Sequence, residues 1–250
     1  MNPLKIFVIS LASDQQRRSA LCQKLDNLKL EYELFYAIDG RNGLSSEMEL
    51  LVDRELALKN IGRPLTDAEF ACSLSHSFIY KKMVNESIDN ALILEDDAQI
   101  TTDLLNFIQS KCYANFNLLL LNHLSSRVFR FSSKRIFDKF RAYRLISPCY
   151  RTCAYYLNKA TANYLLHYTQ PVSYTADWPG NIIEVKAHVI WPLLVQHPEE
   201  TITSSTINAT REYSIQTNKS KLLKTKSLTR LTKPNYWKNW LHRKLSIWLT

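Results

Sequence analysis

The chain has 250 residues, enough for one substantial domain or two small ones, and 46% of them are apolar. Its formal net charge of +9 lies at the end of the sequence, because residues 219–250 hold nine basic side chains and no acidic one. The remaining 23 basic residues balance all 23 acidic ones. A neutral body argues against a nucleic-acid-binding protein, which needs basic residues across a folded face.

Glycine is scarce, with four residues in the chain, and no glycine-rich phosphate loop is present. The five cysteines are odd in number and have no zinc-site spacing, which favours reduced thiols. No apolar run reaches the roughly 20 residues of a spanning helix, and the start of the sequence lacks the pattern of a signal peptide. We therefore expect a cytoplasmic protein.

The first forty residues have the pattern of a strand–helix–strand unit. Residues 5–11 are apolar and β-branched, which indicates a buried strand. Ser13 and Gln16 have capping-box spacing, so a helix is predicted over residues 14–28. Residues 31–37 predict a second strand that ends at the turn Asp39-Gly40. Such a unit predicts a parallel sheet.

The later elements alternate in the same way. Thr66 and Glu69 form another capping box, which begins a helix that continues to about residue 86. A strand at 91–94 runs directly into Glu95-Asp96-Asp97. Further patterns predict a helix at 101–111, a strand at 117–121, a loop or hairpin at 124–143, a helix at 158–168 and a strand at 188–195. We predict an α/β fold with a mostly parallel central sheet over residues 1–210.

Residues 211–250 differ in composition and form a predicted basic tail. Pro234 is suited to the first turn of a last helix. One face of that helix would carry Trp237, Trp240, Leu241, Leu245 and Trp248. A basic helix with a tryptophan-rich face favours a membrane surface, and the alternative is a terminal helix packed on the body.

The acidic triplet is the most informative candidate site. Residues two apart in a strand point the same way, so Glu95 and Asp97 are predicted to share a face at the carboxyl edge of the sheet. Two carboxylates there suit Mg²⁺ or Mn²⁺, which would bridge the phosphates of a nucleotide. A solvated acidic turn that caps the next helix is the alternative interpretation.

Four ordered motifs resemble those of glycosyltransferase family 25, which includes lipooligosaccharide galactosyltransferases. They are Phe7-Val8-Ile9-Ser10-Leu11 with Arg17-Arg18, then Phe35-Tyr36-Ala37-Ile38-Asp39-Gly40, then Glu69-Phe70-Ala71-Cys72-Ser73-Leu74-Ser75-His76, and Leu92-Ile93-Leu94-Glu95-Asp96-Asp97. The resemblance implies a GT-A-like (Rossmann-like) nucleotide-sugar-binding fold and a UDP-hexose donor, often UDP-galactose. It also implies an inverting reaction and a divalent metal, Mn²⁺ or Mg²⁺, bound through the Glu-Asp-Asp motif.

Matching positions give the candidate site residues. The resemblance assigns to donor binding Ser10, Leu11, Arg17, Arg18, Asp39, His76, Glu95, Asp96 and Gln196, and to the metal Glu95 and Asp97. Asp97 is also expected to be catalytic. Asp177 is the candidate general base that takes the proton of the acceptor hydroxyl, with Glu184 in reserve. The alternatives are a solvated helix face for the two arginines, turn chemistry for Asp39 and a structural role for His76.

We therefore predict a hexosyltransferase that moves a sugar from a UDP-sugar donor to a lipooligosaccharide acceptor. Its expected partners are the lipid-linked oligosaccharide and, through the tail, the inner face of the cytoplasmic membrane, with no nucleic acid. The alternative function is a non-catalytic sugar-nucleotide or glycan-binding protein of the same fold.

Overall fold

The computed structural model describes residues 3–198 and 244–249. The strands in these ranges are β1 (Lys5–Leu11), β2 (Glu33–Ala37), β3 (Asn90–Glu95), β4 (Leu118–Leu120), β5 (Ser126–Phe129), β6 (Lys134–Phe137), β7 (Phe140–Arg144), β8 (Ala154–Asn158), β9 (His188–Trp191) and β10 (Ser246–Leu249). The α-helices are α1 (Gln15–Asn27), α2 (Ser46–Glu49), α3 (Arg54–Ile61), α4 (Asp67–Asn85), α5 (Thr102–Ser110) and α6 (Lys159–His167).

Eight strands form one sheet in the order β2-β1-β3-β8-β4-β9-β7-β6. The pairing directions orient β8 and β7 against the other six strands. The sheet is therefore mixed, with most strands running one way, and the predicted α/β class is confirmed. The expected hairpin within residues 124–143 is β6 and β7, which pair antiparallel.

The amino-terminal strand–helix–strand unit is confirmed. β1 lies between β2 and β3 and pairs parallel with both, which buries its middle residues from Ile6 to Ser10. The predicted capping box at Ser13 is wrong, because Asp14 is the N-cap residue of α1 and makes no side-chain capping bond. The Ser13 hydroxyl instead donates to Oδ1 of Asp14 at 2.9 Å.

The long helix α4 begins as the sequence predicts. The Thr66 hydroxyl accepts from the Glu69 amide at 3.2 Å, and Glu69 Oε2 accepts from the Thr66 amide at 3.0 Å. The turn after β2 lies directly against this helix start, because a Cβ built on Gly40 would stand 2.4 Å from the Asp67 carbonyl oxygen. Only glycine allows this approach, which holds the end of β2 beside α4.

A late segment of the chain enters the centre of the sheet. β8 pairs antiparallel with β3 on one side and with β4 on the other. Because Ala154 lies opposite Leu94, the residues just before β8 meet the carboxyl end of β3, and the Glu95 amide donates to the Cys153 carbonyl at 2.8 Å. This pairing delivers Thr152 and Cys153 to the acidic triplet.

The end of the chain differs from the expectation. Ser246–Leu249 is a strand that pairs antiparallel with β5, so the predicted terminal helix is wrong over these four residues. Leu249 is buried and Trp248 is exposed, the alternation of a strand with one face on the core. The rest of the predicted tail helix, like all of residues 199–243, lies outside the described ranges. Among the described helices, none has the length and apolar character to cross a bilayer.

Candidate active site

An open pocket lies at the carboxyl ends of β1, β2 and β3. Its walls combine an apolar side, which includes Ile9, Leu11 and Ile38, with charged groups. The charged residues are Asp14, Arg17, Asp39, Arg41, Glu95 and Asp96. This is the edge at which open α/β sheets bind ligands, so the pocket is the candidate site.

Glu95 ends β3 and connects the pocket to the core. Its Oε1 accepts from the Thr152 hydroxyl at 2.9 Å and lies 3.4 Å from His76 Nε2. His76 is buried, and its Nδ1 is hydrogen-bonded to the Tyr155 hydroxyl at 2.7 Å, which in turn lies 3.0 Å from the Tyr80 hydroxyl. The ring of His76 is thus fixed from the core side, while its buried Nε2 makes no hydrogen bond and faces Glu95.

Arg17 neutralises the other two acids. Its Nε lies 2.8 Å from Asp96 Oδ1, and its Nη2 contacts Oδ2 of Asp97. Burial raises the pKa of Asp96 to about 6, although Arg17 pulls it down. Burial also opposes ionisation of Asp97, but the hydrogen bond to His197 and the charge of Arg17 outweigh it, so the pKa of Asp97 lies below its usual value.

The paired arginines of the first motif have different partners. Arg18 lies outside the pocket lining, donates to the Leu11 carbonyl at 2.9 Å and stacks over the Tyr36 ring. Ser10 is buried, and its hydroxyl donates to the Leu11 carbonyl at 3.2 Å. Arg17 therefore enters the pocket, while Arg18 holds the end of β1.

Asp39 lies at the pocket mouth beneath a third arginine. Arg41 Nε and Nη2 donate to the two Asp39 oxygens at 2.9 and 2.5 Å. The same Nη2 donates to the Ser13 hydroxyl at 2.8 Å, and Nη1 lies 3.5 Å from Asp14 Oδ1. Arg41 thus connects the turn after β2 to the turn after β1.

The two candidate bases lie in different surroundings. Asp177 is half-buried, and its Oδ1 accepts from the Arg151 amide at 2.9 Å. Burial and the charges of Glu95 and Asp177 raise the pKa of the Cys72 thiol well above its usual value. Asp177 itself is not among the residues that line the pocket. Glu184 instead accepts from the Tyr164 hydroxyl at 3.1 Å and from the side-chain Nδ2 of Asn181 at 3.0 Å, beside α6.

Gln196 pairs by its backbone with Gln99, at 2.8 and 2.9 Å, and its exposed side chain donates to the Leu193 carbonyl at 3.4 Å. The side chain that reaches the acids from this segment belongs to its neighbour His197, whose Nε2 lies 3.3 Å from Asp97 Oδ2.

Comparison with known proteins identifies the family. The family model described as glycosyltransferase family 25 (LPS biosynthesis protein) matches residues 3–178, which is well over half of the sequence. The chain belongs to glycosyltransferase family 25. This match includes Asp177 and every pocket residue named above.

The curated relatives of this family 25 chain resemble it over about 100 residues. A glycosyltransferase 25 family member of Aedes aegypti is 33% identical over 37% of this chain and 16% of its own length. Human procollagen galactosyltransferase 2 is 28% identical over 38% of this chain and 16% of its own length. A rat protein named probable inactive glycosyltransferase 25 family member 3 is 34% identical over 38% of this chain and 17% of its own length. The match therefore spans about a sixth of each relative.

Four residues in or beside the pocket were not predicted from the sequence to belong to the site. Arg41 follows the Asp39-Gly40 turn directly, and Cys72 lies one helical turn before His76, so both had a local signal. Thr152 and His197 reach Glu95 and Asp97 through long-range pairing, which no local pattern reveals.

Candidate metal ligands form two groups in the described residues. Donor atoms lie within 4.8 Å of one another in the group Cys72, His76 and Glu95, and in the group Asp97, Cys153 and His197. Glu95 and Asp97 thus belong to different groups. The reason is local, because the strand ends at Glu95 and the Ala98 amide donates to the Glu95 carbonyl at 3.0 Å, which closes a turn through Asp96 and Asp97.

Proposed function

We propose that this family 25 chain is a hexosyltransferase that moves a sugar, galactose above all, from a UDP-sugar to a lipooligosaccharide acceptor with inversion. One observation carries the proposal: two arginines, Arg17 and Arg41, meet four carboxylates in one pocket at the carboxyl edge of the sheet, those of Asp14, Asp39, Glu95 and Asp96. An anionic diphosphate and a polar sugar need that combination, and the family match makes a nucleotide-sugar the natural ligand.

The donor would lie along the pocket. The apolar wall of Ile9, Leu11 and Ile38 suits the flat face of a base, and Arg17 and Arg41 suit the two phosphates. Guanidinium groups bind phosphate oxygens in a bidentate fork, which replaces the absent glycine-rich loop. Each arginine now binds a carboxylate and would exchange part of that contact for the diphosphate.

The acceptor hydroxyl needs a base. Asp177 is the proposed one, because the Arg151 amide orients its carboxylate and the next residue, Thr152, binds Glu95. As the hydroxyl oxygen bonds to the anomeric carbon, its proton passes to Asp177 and the bond from that carbon to the diphosphate breaks. UDP leaves with the electron pair, and attack from the face opposite the leaving group inverts the configuration.

The residues of the pocket fit a divalent ion. The carboxylates of Glu95 and Asp96 line the pocket, and carboxylate oxygens are the ligands that Mn²⁺ and Mg²⁺ prefer. Glu95 and Asp97 are the proposed ligands; because they now lie in different donor groups, they would bind one ion together only if Asp97 released Arg17 and turned towards Glu95. When bound, Mn²⁺ or Mg²⁺ would offset the charge that develops on the leaving diphosphate.

The location of the protein is part of the same proposal. A lipid-linked acceptor is held at a membrane, and the nine basic residues of positions 219–250 would bind the inner face of the cytoplasmic membrane. The chain would then be a peripheral cytoplasmic enzyme.

The test is a transfer assay. The full chain is incubated with UDP-galactose, UDP-glucose or UDP-N-acetylglucosamine, each with a truncated lipooligosaccharide and with Mn²⁺ or a chelator. A mass increase of one sugar in the acceptor is expected with one donor and Mn²⁺. Sugar transfer that is unaffected by the chelator would contradict the proposed metal dependence. The absence of transfer with all three donors would contradict either the proposed acceptor or the proposed activity.

A second function has an observation in its favour. The rat relative at 34% identity is named probable inactive, so a non-catalytic sugar-nucleotide-binding protein of the same fold is the competing proposal. UDP binding by calorimetry without transfer or donor hydrolysis would support it.

A further inference from the structure

The second sheet of the molecule is a two-stranded ribbon with one face on the core and one face outward. In β5, Ser126 and Val128 are buried, while Arg127 and Phe129 are not. Trp248 of β10 lies directly opposite Arg127, so both side chains project from the outer face. The Arg127 guanidinium lies 5.8 Å from the centre of the Trp248 ring, the arrangement of a cation–π pair.

Large aromatic groups are exposed on and beside this face. Trp248 is 62% exposed and Phe131, which follows the ribbon, is 72% exposed. The ring centres of Phe129 and Phe131 are 5.9 Å apart, so they form one aromatic cluster. We call Arg127, Phe129, Arg130, Phe131 and Trp248 the ribbon patch. An exposed aromatic group of this size indicates an interaction surface.

The charge around the ribbon patch is strongly positive. Residues 124–151 contain eight basic side chains and one acidic one, whereas residues 1–218 as a whole are neutral. The guanidinium groups here bind neutral oxygens: Arg127 binds the Ser246 hydroxyl at 2.8 Å, and Arg141 binds the Ser133 hydroxyl at 2.5 Å. Arg41, Arg54 and Arg63 in the amino-terminal half bind carboxylates instead. Lys139 pairs with Asp103 at 3.9 Å, whereas the charges of Arg127 and Arg141 remain available to an anionic partner.

Chain continuity connects the ribbon patch to the proposed catalytic centre. Leu124, just before β5, pairs with Tyr150, whose side chain is 68% exposed. The next two residues are Arg151 and Thr152, which bind Asp177 and Glu95. The basic segment that ends at Lys244 leads directly into β10. A partner on the ribbon patch would thus lie near the segment that contacts the proposed general base.

We propose that the ribbon patch docks on an anionic lipid bilayer. Exposed tryptophan and phenylalanine insert at the level of the headgroups, and arginines around them bind the acidic headgroups. A folded strand pair, rather than the tail alone, then sets the orientation of the protein, with the Arg151–Thr152 segment towards the membrane. This proposal concerns binding only and holds whether or not the chain transfers a sugar.

The experiment is co-sedimentation of the full chain with phosphatidylcholine vesicles, with and without phosphatidylglycerol. We compare wild type with Phe131→Ser/Trp248→Ser and with Arg127→Gln/Arg130→Gln. Each arginine near an anionic surface contributes about fivefold to partitioning, so the arginine pair is expected to lose about 25-fold on phosphatidylglycerol vesicles. The aromatic pair is expected to lose at least tenfold, and circular dichroism checks that each variant is folded.

The matched controls lie on α2, α3 and their junction. Leu50 and Leu58 are 85% and 47% exposed, so Leu50→Ser/Leu58→Ser removes comparable apolar surface, and Arg54→Gln removes an exposed arginine. These variants are expected to bind vesicles like wild type. Wild-type binding by both folded ribbon-patch variants would overturn the proposal. So would a change in their oligomeric state in sedimentation velocity without loss of vesicle binding, which would make the patch an interface between two copies.

Discussion

Arg41 offers the sharpest test of the pocket, because it is an exposed arginine whose three partners all lie at the pocket mouth. Its fork holds Asp39, and it also reaches Ser13 and Asp14. We predict that Arg41→Ala weakens UDP binding while the protein stays folded. The released Asp39 lies at the surface, so the variant leaves no buried charge without a partner.

The magnitude follows from two contributions. A charge-assisted hydrogen bond to phosphate is about twice as strong as a neutral one. Part of this gain is offset, because Arg41 gives up some of its surface pair with Asp39, and such pairs contribute little. UDP binding by the variant is therefore expected to be about 5–30-fold weaker.

The assay is isothermal titration calorimetry with UDP, followed by the KM for the UDP-sugar. Arg54→Ala is the matched control, since Arg54 has the same kind of fork, on Glu49 at 2.5 and 2.8 Å, but does not line the pocket. Equal UDP affinity in wild type and Arg41→Ala would refute the assignment of the pocket to the donor diphosphate. An equal loss in Arg54→Ala would show a general charge effect instead.

Three further results are expected. Asp177→Asn lowers kcat by about 10²–10⁴-fold with UDP affinity retained, and a near-normal kcat would assign the base elsewhere. Tyr155→Phe lowers the free energy of unfolding by about 1–3 kcal/mol, because it removes the buried hydroxyl between His76 and Tyr80. An unchanged midpoint of urea denaturation would contradict that network. Burial lowers the pKa of His123 to about 4, so the unfolded chain binds this proton more readily and stability falls as the pH drops from 6.5 towards 4. Between pH 7 and pH 5 the loss from His123 is about 2 kcal/mol, and His123→Gln should show a smaller fall.

Local patterns predicted the elements of the fold well. β1, α1, β2 and the capping box of α4 carry their signals within a few residues, in apolar periodicity and cap chemistry. β10 was not predicted, because its apolar residues also fit one face of a helix. Pairing with β5, which is far away in sequence, favours the strand over the helix. Tertiary pairing of this kind cannot be read from a local window.

The sequence named several residues that line the pocket, but it did not predict how their side chains contact one another. The family motifs named Arg17, Asp39 and Glu95 as candidate donor-binding residues, and these three residues line the pocket. The expectation that strand alternation would place Glu95 and Asp97 side by side assumed that β3 continues. The turn after Glu95 ends the alternation and directs Asp97 towards Arg17 and His197.

The position of β8 has a consequence for the order in which the parts of the site are synthesised. Three groups that contact the site come from β8 or from the two residues before it, about sixty residues after β3. Thr152 contacts Glu95, Cys153 contacts Asp97, and Tyr155 contacts His76. During synthesis the acidic triplet emerges long before the groups that complete it. A nascent chain therefore has the charges without their arrangement until the late strand pairs with β3 and β4 in the middle of the sheet.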